Sequence, residues 1–321
     1  MSSITLAPPR SAVLRAAGLR HRPAVLTLLT VMGAISLALL LHGWYLHTGL
    51  DRTGAAGCDP ATDVCTAKYK QFTRQYGQSM LPLETVFFVV GGAFGAFLGG
   101  PLLAREFEHG TVRFAWTQGA GRTRWTMGGL LVSGGALAVV AALFGVLLRW
   151  WSEPLALKGG DFNPQLFILA SPVLVGRVLV GFGVAVLAGA VLRRTLIAVG
   201  LGLAASVALP FLAQAVRPHY MAPLQDSLHS MTSLPLDDRW VLSAWFSDPA
   251  GTRISADDFY NRGDTFAQWQ AMVRDGGYTA HEMYQPADRY WPFQFIEAGW
   301  TILLAVVLCA AALWWVRRRA V

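Results

Sequence analysis

The sequence predicts an all-α integral membrane protein with six transmembrane helices, five of them within residues 24–216. Three observations predict this fold class. First, 54% of the 321 residues are hydrophobic and only 14% are charged, whereas a soluble domain carries about a quarter charged residues. Second, six apolar runs are each long enough to cross a bilayer. Third, basic residues are concentrated in the polar segments that six spans would place on one side of the membrane.

Residues 1–23 form a basic segment before the first apolar run. The segment contains four arginines and no acidic residue, and its apolar residues recur at helical spacing, so we expect a cytoplasmic interfacial helix. The run that follows, 24–45, reaches about 33 Å as a helix, which is enough for the hydrocarbon core. It is too long for a signal peptide and lacks a convincing cleavage site, so we expect a retained first span.

A polar segment with two cysteines separates the first and second spans. Cys58 and Cys65 lie within residues 43–80, on the side of the membrane where a disulfide can persist. We predict a disulfide between them, with two free surface thiols as the alternative. Cys309 lies in an apolar run and is expected to act as a small hydrophobic core residue.

The second span, 81–104, carries two rows of small residues. Gly91, Gly95 and Gly99 recur every four residues, and a parallel row begins at Gly92. Small residues at this spacing let helix backbones approach closely in lipid. The rows predict either helix packing within the chain or an interface that moves or forms a dimer.

Residues 105–125, here called the bridge, are a polar segment between the second span and the third, 127–148. A charged turn ends at Gly110, and Thr111 follows in position to cap a short amphipathic helix. The Arg-x-Arg-Trp sequence at the end of the bridge is typical of a chain that enters the lipid at the cytoplasmic headgroups. We expect a short helix parallel to the membrane that a cytosolic protein can contact, or else a solvated loop.

Three further spans complete the predicted fold, at 172–192, 196–216 and 294–316. The first two are joined by three residues only and so form a tight helical hairpin. Residues 217–293 form a long extracellular polar region, which we expect to hold short helices and turns. The last span leads to a cytoplasmic tail, 317–321, that begins with three arginines.

The charge distribution supports this orientation. If both termini, the bridge and the Arg193-Arg194 turn face the cytoplasm, that side holds 13 of the 26 basic residues but only 2 of the 19 acidic residues. The other side contains two to three times as much polar chain, so the density of basic residues is higher inside, as the positive-inside rule requires.

The sequence shows no catalytic or nucleotide-binding motif. It has no phosphate-binding loop, no His-Glu-x-x-His pair and no Gly-x-Ser-x-Gly turn. We therefore predict no catalytic residue, no metal site and no cofactor in this chain.

Few charged residues lie inside the predicted spans. Arg177 and Glu297 either reach the headgroups with their side chains or pair across helices and close the outer end of a translocation path. Pro210, near the end of the fifth span, is tolerable if a neighbour satisfies the carbonyl group that it frees.

Two stretches resemble a known family. Residues 99–125, GGPLLAREFEHGTVRFAWTQGAGRTRW, resemble the first cytoplasmic loop of membrane subunits of type-2 ATP-binding-cassette transporters, in the actinobacterial branch. Residues 284–300, YQPADRYWPFQFIEAGW, resemble the segment that precedes the last span in this branch. The resemblance implies a permease of a bacterial plasma-membrane exporter that works as a dimer, most simply a homodimer. It also implies two cytosolic ATPase subunits that bind ATP and Mg, and no nucleic acid.

The resemblance assigns a coupling helix to residues 105–118 of the bridge. The candidates for contact with the ATPase are the charged and capping residues of this segment. They are Arg105, Glu106, Glu108, Thr111 and Arg113.

The expected substrate is amphipathic, such as a drug, a peptide or a lipid-like molecule. The wall of its path is expected to be apolar and aromatic, although the same aromatic residues face lipid in the alternative interpretation. They are Phe87, Phe88, Phe94, Phe97 and Phe211. The alternative function is a non-transporting scaffold or sensor that binds a ligand outside and recruits a cytosolic protein. An intramembrane enzyme lacks paired catalytic groups.

Overall fold

The structure is a computed structural model. It describes residues 10–58, 62–76, 81–110, 121–159, 162, 164–228, 239–263 and 266–318. The helices are α1 (Arg10–Arg52), α2 (Asp63–Tyr76), α3 (Leu81–Glu108), α4 (Arg122–Gly159), α5 (Pro164–Phe167), α6 (Ser171–Leu192), α7 (Thr195–Val216), α8 (Ala256–Tyr260), α9 (Phe266–Arg274) and α10 (Tyr290–Arg318). The strands are β1 (Leu224–Leu228), β2 (Trp240–Ser247), β3 (Arg253–Ser255) and β4 (Thr279–Gln285).

Five helices of the described chain are long and apolar enough to cross a membrane. They are Arg22–Arg52, Arg122–Pro154, Ser171–Leu192, Thr195–His219 and Ala287–Arg318. These segments coincide with the first, third, fourth, fifth and sixth predicted spans, which confirms a multi-pass helical membrane protein. The predicted second span coincides with α3, a helix of 28 residues, and its role as a sixth span stays a prediction.

Helix α6 lies at the centre of the spans. It packs against α3, α4, α7 and α10, and 72% of its 18-residue apolar stretch is buried. Helix α1 lies at the edge, where it packs mainly against α4, and only 17% of its apolar stretch is buried. The core is therefore built around α6.

Both small-residue rows of α3 are used inside the chain. A Cβ atom added at Gly95 would lie 2.2 Å from the carbonyl oxygen of Val178 on α6. A Cβ atom at Gly92 would lie 2.4 Å from the Cβ of Ser206 on α7. The missing side chains thus let α3 lie directly against α6 and α7, so these rows pack within the chain, as the first interpretation of the spacing predicts.

Residues 217–293 contain a four-stranded sheet that the sequence analysis did not predict. The strands are antiparallel in the order β1-β4-β2-β3, and Trp245 on β2 pairs with His281 on β4. Helices α8 and α9 supply Phe259 and Val273 to a small core with Phe246 and Ala280 of the sheet. The expectation of short helices and turns alone is therefore wrong. The strands are brief and mixed in polarity, so their period-2 pattern is weak.

The sheet and the bridge mark opposite ends of the helices. Helix α7 begins beside the bridge at Thr195 and is followed at its far end by the 3₁₀ turn Arg217–His219 and then by β1. Strand β4 leads through a second 3₁₀ turn, Ala287–Arg289, into α10. We call these two ends the bridge end and the sheet end.

Candidate functional site

At the bridge end, the end of α3 is bonded to the turn between α6 and α7. One carboxylate oxygen of Glu108 accepts a hydrogen bond from the amide of Thr195 at 2.9 Å, and the other accepts one from the Thr195 hydroxyl at 2.6 Å. Glu108 thereby caps the first turn of α7, where the amide groups lack helical partners. These two bonds hold the pKa of the Glu108 carboxyl below its ordinary value.

A second contact supports the same junction. The guanidinium of Arg193 lies over the ring of Phe107, 5.4 Å from its centroid, within the range of a cation–π interaction. Arg193 has a left-handed backbone, with φ of 57°, and its amide donates to the Gly189 carbonyl. This conformation ends α6 and lets α7 begin two residues later. The last residues of α3, which are also the first residues of the bridge, therefore contact both ends of the turn between α6 and α7.

The predicted coupling residues differ in their surroundings. Arg105 is exposed, Glu106 is half-buried, and Glu108 is exposed but bonded to Thr195. Thr111 and Arg113 lie outside the described residues, and so does the predicted amphipathic helix, which stays a prediction. Thr195 was not predicted as a site residue, because the short turn was interpreted only as a topology signal. A hydroxyl at the first position of α7 was the available signal.

The described side chains among the aromatic residues predicted to line a translocation path lie in different surroundings. Phe87 is buried, with its ring edge-on to the rings of Phe144 and Trp151. Phe97 and Phe211 are each 63% exposed on the surface of the chain. The side chain of Phe88 lies outside the described residues. The path therefore stays a prediction: Phe87 lies in the core, whereas Phe97 and Phe211 lie on the surface of the chain.

Phe94 lies beside a small apolar cavity among α1, α3, α4 and α6. Its lining residues are Leu28, Met32, Gly91, Phe94, Leu137, Val140, Ala141, Phe144, Leu174 and Val178. None of these residues has a polar side chain, so the cavity offers no group that could orient a polar ligand.

Glu297 pairs with a residue that the sequence analysis did not consider. Arg217 donates from Nε and Nη2 to the two carboxylate oxygens of Glu297, at 2.9 Å and 3.0 Å, and each side chain is only 2% exposed. The Arg217 guanidinium also lies 3.9 Å from the ring centroid of Phe167. The predicted pairing of Glu297 with Arg177 is therefore wrong in this structure, since the carboxylate bonds to Arg217 and Tyr220, whereas Arg177 donates to the Ser206 carbonyl. A gating role for either residue stays a prediction.

Arg177 is buried on α6 with an exposed fraction of 1%. Its Nε donates to the backbone carbonyl of Ser206 on α7 at 2.9 Å. The side chain thus lies between two packed helices, so the alternative in which it reaches the headgroups does not describe this structure.

The predicted disulfide is present at the sheet end. Cys58 and Cys65 are bonded, with their Cα atoms 5.3 Å apart, and the bond ties the chain after α1 to the start of α2. Nearby, the Tyr69 hydroxyl of α2 donates to the carbonyl of Pro154 on α4 at 2.9 Å. Burial raises the pKa of Tyr69 to about 12, so this hydroxyl stays protonated as a donor.

No group of three or more His, Cys, Asp or Glu side chains in the described part of the chain could hold a metal ion.

Comparison with known proteins identifies the family. Residues 28–217, more than half of the chain, match the family described as ABC-2 membrane transporter related. No curated protein and no solved structure matches the chain. The matched range includes the whole bridge, the turn between α6 and α7, and Arg177, while the sheet lies beyond it. The resemblance is thus confirmed for the family, and its actinobacterial branch stays a prediction. The chain belongs to the ABC-2 membrane transporter related family.

Proposed function

We propose that the chain is the permease subunit of an ATP-driven exporter of amphipathic molecules. The family consists of membrane components that are generally not catalytic and that associate with an ATP-binding-cassette partner. The observation that carries the proposal is the bonded junction at the bridge end. There the cytosolic bridge begins at a point that Glu108 joins to Thr195, the first residue of α7.

This junction gives a force on the bridge a direct route into the spans. The bridge continues α3, and α3 lies against α6 and α7 along both of its glycine rows. The Glu108 cap adds a second link, from the end of α3 to the start of α7. A protein that displaces the bridge would therefore move α3 and α7 together.

ATP and Mg belong to the partner in this proposal. Two cytosolic ATPase subunits would each contact one bridge, through Arg105, Glu106 and the predicted helix with Thr111 and Arg113. The complex would contain two permease protomers, most simply identical, in a bacterial plasma membrane.

The substrate path is proposed to lie between the two protomers. Phe97 on α3 and Phe211 on α7 support this placement, because both are exposed on the surface of the single chain. An aromatic and apolar wall suits an amphipathic drug, peptide or lipid-like molecule. Lipid contact is the competing role for both side chains.

Binding of the ATPase tests the proposal. The detergent-solubilised chain is mixed with the ATPase encoded beside its gene, and complex formation and ATP hydrolysis are measured. We expect the wild type to bind and to change the hydrolysis rate. Glu106→Lys should weaken binding about tenfold or more, because it reverses the charge of a residue proposed to contact the ATPase. A wild-type chain that binds no ATPase would contradict the permease function and would favour the alternative of a non-transporting scaffold or sensor.

Two matched variants separate contact from structure. Glu153→Lys reverses the charge of an exposed acidic residue at the sheet end of α4. This variant should leave ATPase binding unchanged. Thr195→Val removes the hydroxyl bond to Glu108 and leaves the charge of Glu108 unchanged. If Glu108→Lys and Thr195→Val weaken binding equally, Glu108 acts by capping α7, and direct contact with the ATPase is ruled out for this residue.

A further inference from the structure

Pro210 leaves a backbone group of α7 without its helical partner. Proline has no amide hydrogen, so the carbonyl four residues earlier in a helix loses its usual donor. In α7 this carbonyl belongs to Ser206, and the Nε of Arg177 donates to it at 2.9 Å. An N–H group from α6 thus occupies the place of the missing amide donor.

The side chain of Ser206 is tightly enclosed by the neighbouring helices. The Ser206 hydroxyl is engaged with the Gly202 carbonyl of its own helix at 2.9 Å. Neighbouring helices approach closely, since a Cβ atom at Gly181 would lie 2.0 Å from the Ser206 hydroxyl oxygen and one at Gly92 would lie 2.4 Å from the Ser206 Cβ. Inside a bilayer, water is not available to satisfy a backbone carbonyl. A donor on a long side chain of an adjacent helix satisfies the Ser206 carbonyl instead.

The same replacement occurs a second time, at the sheet end of α4. Pro154 lies within this helix, and the carbonyl that it frees belongs to Trp150. His47 of α1 donates to that carbonyl from Nε2 at 3.1 Å, and its ring stacks on the Trp150 ring with the centroids 4.9 Å apart. Two prolines within the spans therefore each have a freed carbonyl that bonds to a side chain of a neighbouring helix.

We propose that Arg177 is a positioning residue for α7 and that its role depends on Pro210. The Nε–H group replaces the amide that residue 210 lacks and thereby holds the carbonyl end of Ser206 against α6. The requirement at position 177 is for a donor at the Nε position, rather than for a positive charge. This role does not depend on what the protein transports or on which ATPase it binds.

Two substitutions at position 177 separate the donor from the charge. Glutamine places its amide nitrogen the same number of bonds from Cα as the arginine Nε, so Arg177→Gln keeps the donor and removes the charge. Arg177→Met has a similar length and no donor. Each full-length variant is purified in the same detergent, and its midpoint of thermal unfolding is measured. We expect Arg177→Met to lower the midpoint by roughly 2–6 °C. Arg177→Gln should lower it by less than half as much, because its amide still donates.

A substitution at Pro210 provides the decisive comparison. Pro210→Ala restores an amide donor for the Ser206 carbonyl, so Arg177→Met should cost much less when combined with Pro210→Ala. The matched control is Pro101→Ala in α3, which restores a donor for the carbonyl of Phe97 on another helix. Arg177→Met combined with Pro101→Ala should unfold at the low midpoint of Arg177→Met alone.

Three results would overturn the proposal. The first is an equal cost of Arg177→Met in the wild-type chain and in the Pro210→Ala variant. The second is an equal rescue of Arg177→Met by Pro101→Ala. The third is an Arg177→Gln variant that is as unstable as Arg177→Met. The last result would assign the role of Arg177 to its charge. If Arg177→Met alone yields no folded protein, the yield of monodisperse protein replaces the unfolding midpoint. In that case only the combination with Pro210→Ala should restore the yield.

Discussion

Helices α6 and α1 are both long enough to span a bilayer, yet they are held in different ways. Helix α6 meets α3 through glycine positions at which a Cβ atom would collide with its backbone. Helix α1 meets α4 through large rings, such as Trp150, which stacks on His47, and Trp151, which donates to His42 at 3.0 Å. Close backbone contact fixes the place of α6 within one chain, whereas α1 leaves most of its side chains to lipid or to another protein.

The largest effect is expected at the ion pair that joins two neighbours of α6. Arg217 follows α7 and Glu297 lies on α10, and both side chains are almost fully buried. Arg217→Met alone should lower the free energy of unfolding by about 3–5 kcal/mol, because it leaves a buried carboxylate unpaired. Adding Glu297→Met should recover most of this loss, since two apolar side chains replace the pair. Unfolding by sodium dodecyl sulfate in mixed micelles measures both. Equal losses in the single and the double variant would contradict the importance of the pair.

Matched glycine substitutions test the difference between the two helices directly. Gly95→Ala should cost about 3 kcal/mol, because its Cβ atom would lie 2.2 Å from the Val178 carbonyl oxygen and α3 would have to move. Gly33 of α1 has no atom within 4 Å of an added Cβ, so Gly33→Ala should be neutral or stabilise the protein by up to about 1 kcal/mol. The same unfolding titration compares them. A loss at Gly33 as large as that at Gly95 would mean that α1 is packed as closely as α6.

The disulfide tests how far α1 depends on covalent attachment. Replacing Cys58 and Cys65 by serine removes a crosslink across a short loop, which should cost about 2 kcal/mol. Because α1 is held at the edge, we expect faster proteolysis of the segment between α1 and α2, with the α6 core still folded. Limited proteolysis with mass spectrometry measures this change. Cys309→Ser serves as the control in the same assay. A loss of the whole fold would show that α1 belongs to the core.

The smallest effect is expected at Glu108, which links α3 to the hairpin of α6 and α7. Bonds from Thr195 lower the pKa of Glu108 in the folded protein. Its stabilising contribution is therefore fully present above its ordinary value of 4.5 and is lost as the pH falls through the lowered value. Thermal unfolding between pH 7 and pH 3 should show a small loss that Glu108→Gln reduces. An identical pH profile for Glu108→Gln would remove this residue from the pH dependence.

The structural features that could be predicted from the sequence are those that local patterns of residues determine. Apolar runs predict the spans, because the length of a helix in lipid is set by bilayer thickness. The small-residue row through Gly95 predicts close packing, and the spacing of Cys58 and Cys65 in one polar segment predicts their bond. Each of these features depends on residues near one another in the chain.

Partners that are distant in the chain could not be predicted in the same way. Glu297 is 80 residues from Arg217, and Arg177 is an equally plausible partner until the packing of α7 on α6 is known. The position of Pro210 in the fifth span calls for a donor to the carbonyl that it frees, and only the structure identifies Arg177 as that donor. The sheet was missed because its strands pair across long gaps, and because its core, in the part of the chain that the structure describes, is a small cluster of four buried apolar side chains.

The attachment of the sheet to the spans has a practical consequence for imaging. Gln285 donates to the Met221 carbonyl at 2.8 Å and Arg289 donates to the Ala222 carbonyl at 2.6 Å, so the two chain segments that enter and leave the sheet are bonded to each other. Those segments continue directly into α7 and α10. An antibody fragment raised against the sheet would therefore keep a fixed orientation relative to the helices. Such a fragment would serve as an alignment marker for electron microscopy of a small membrane protein.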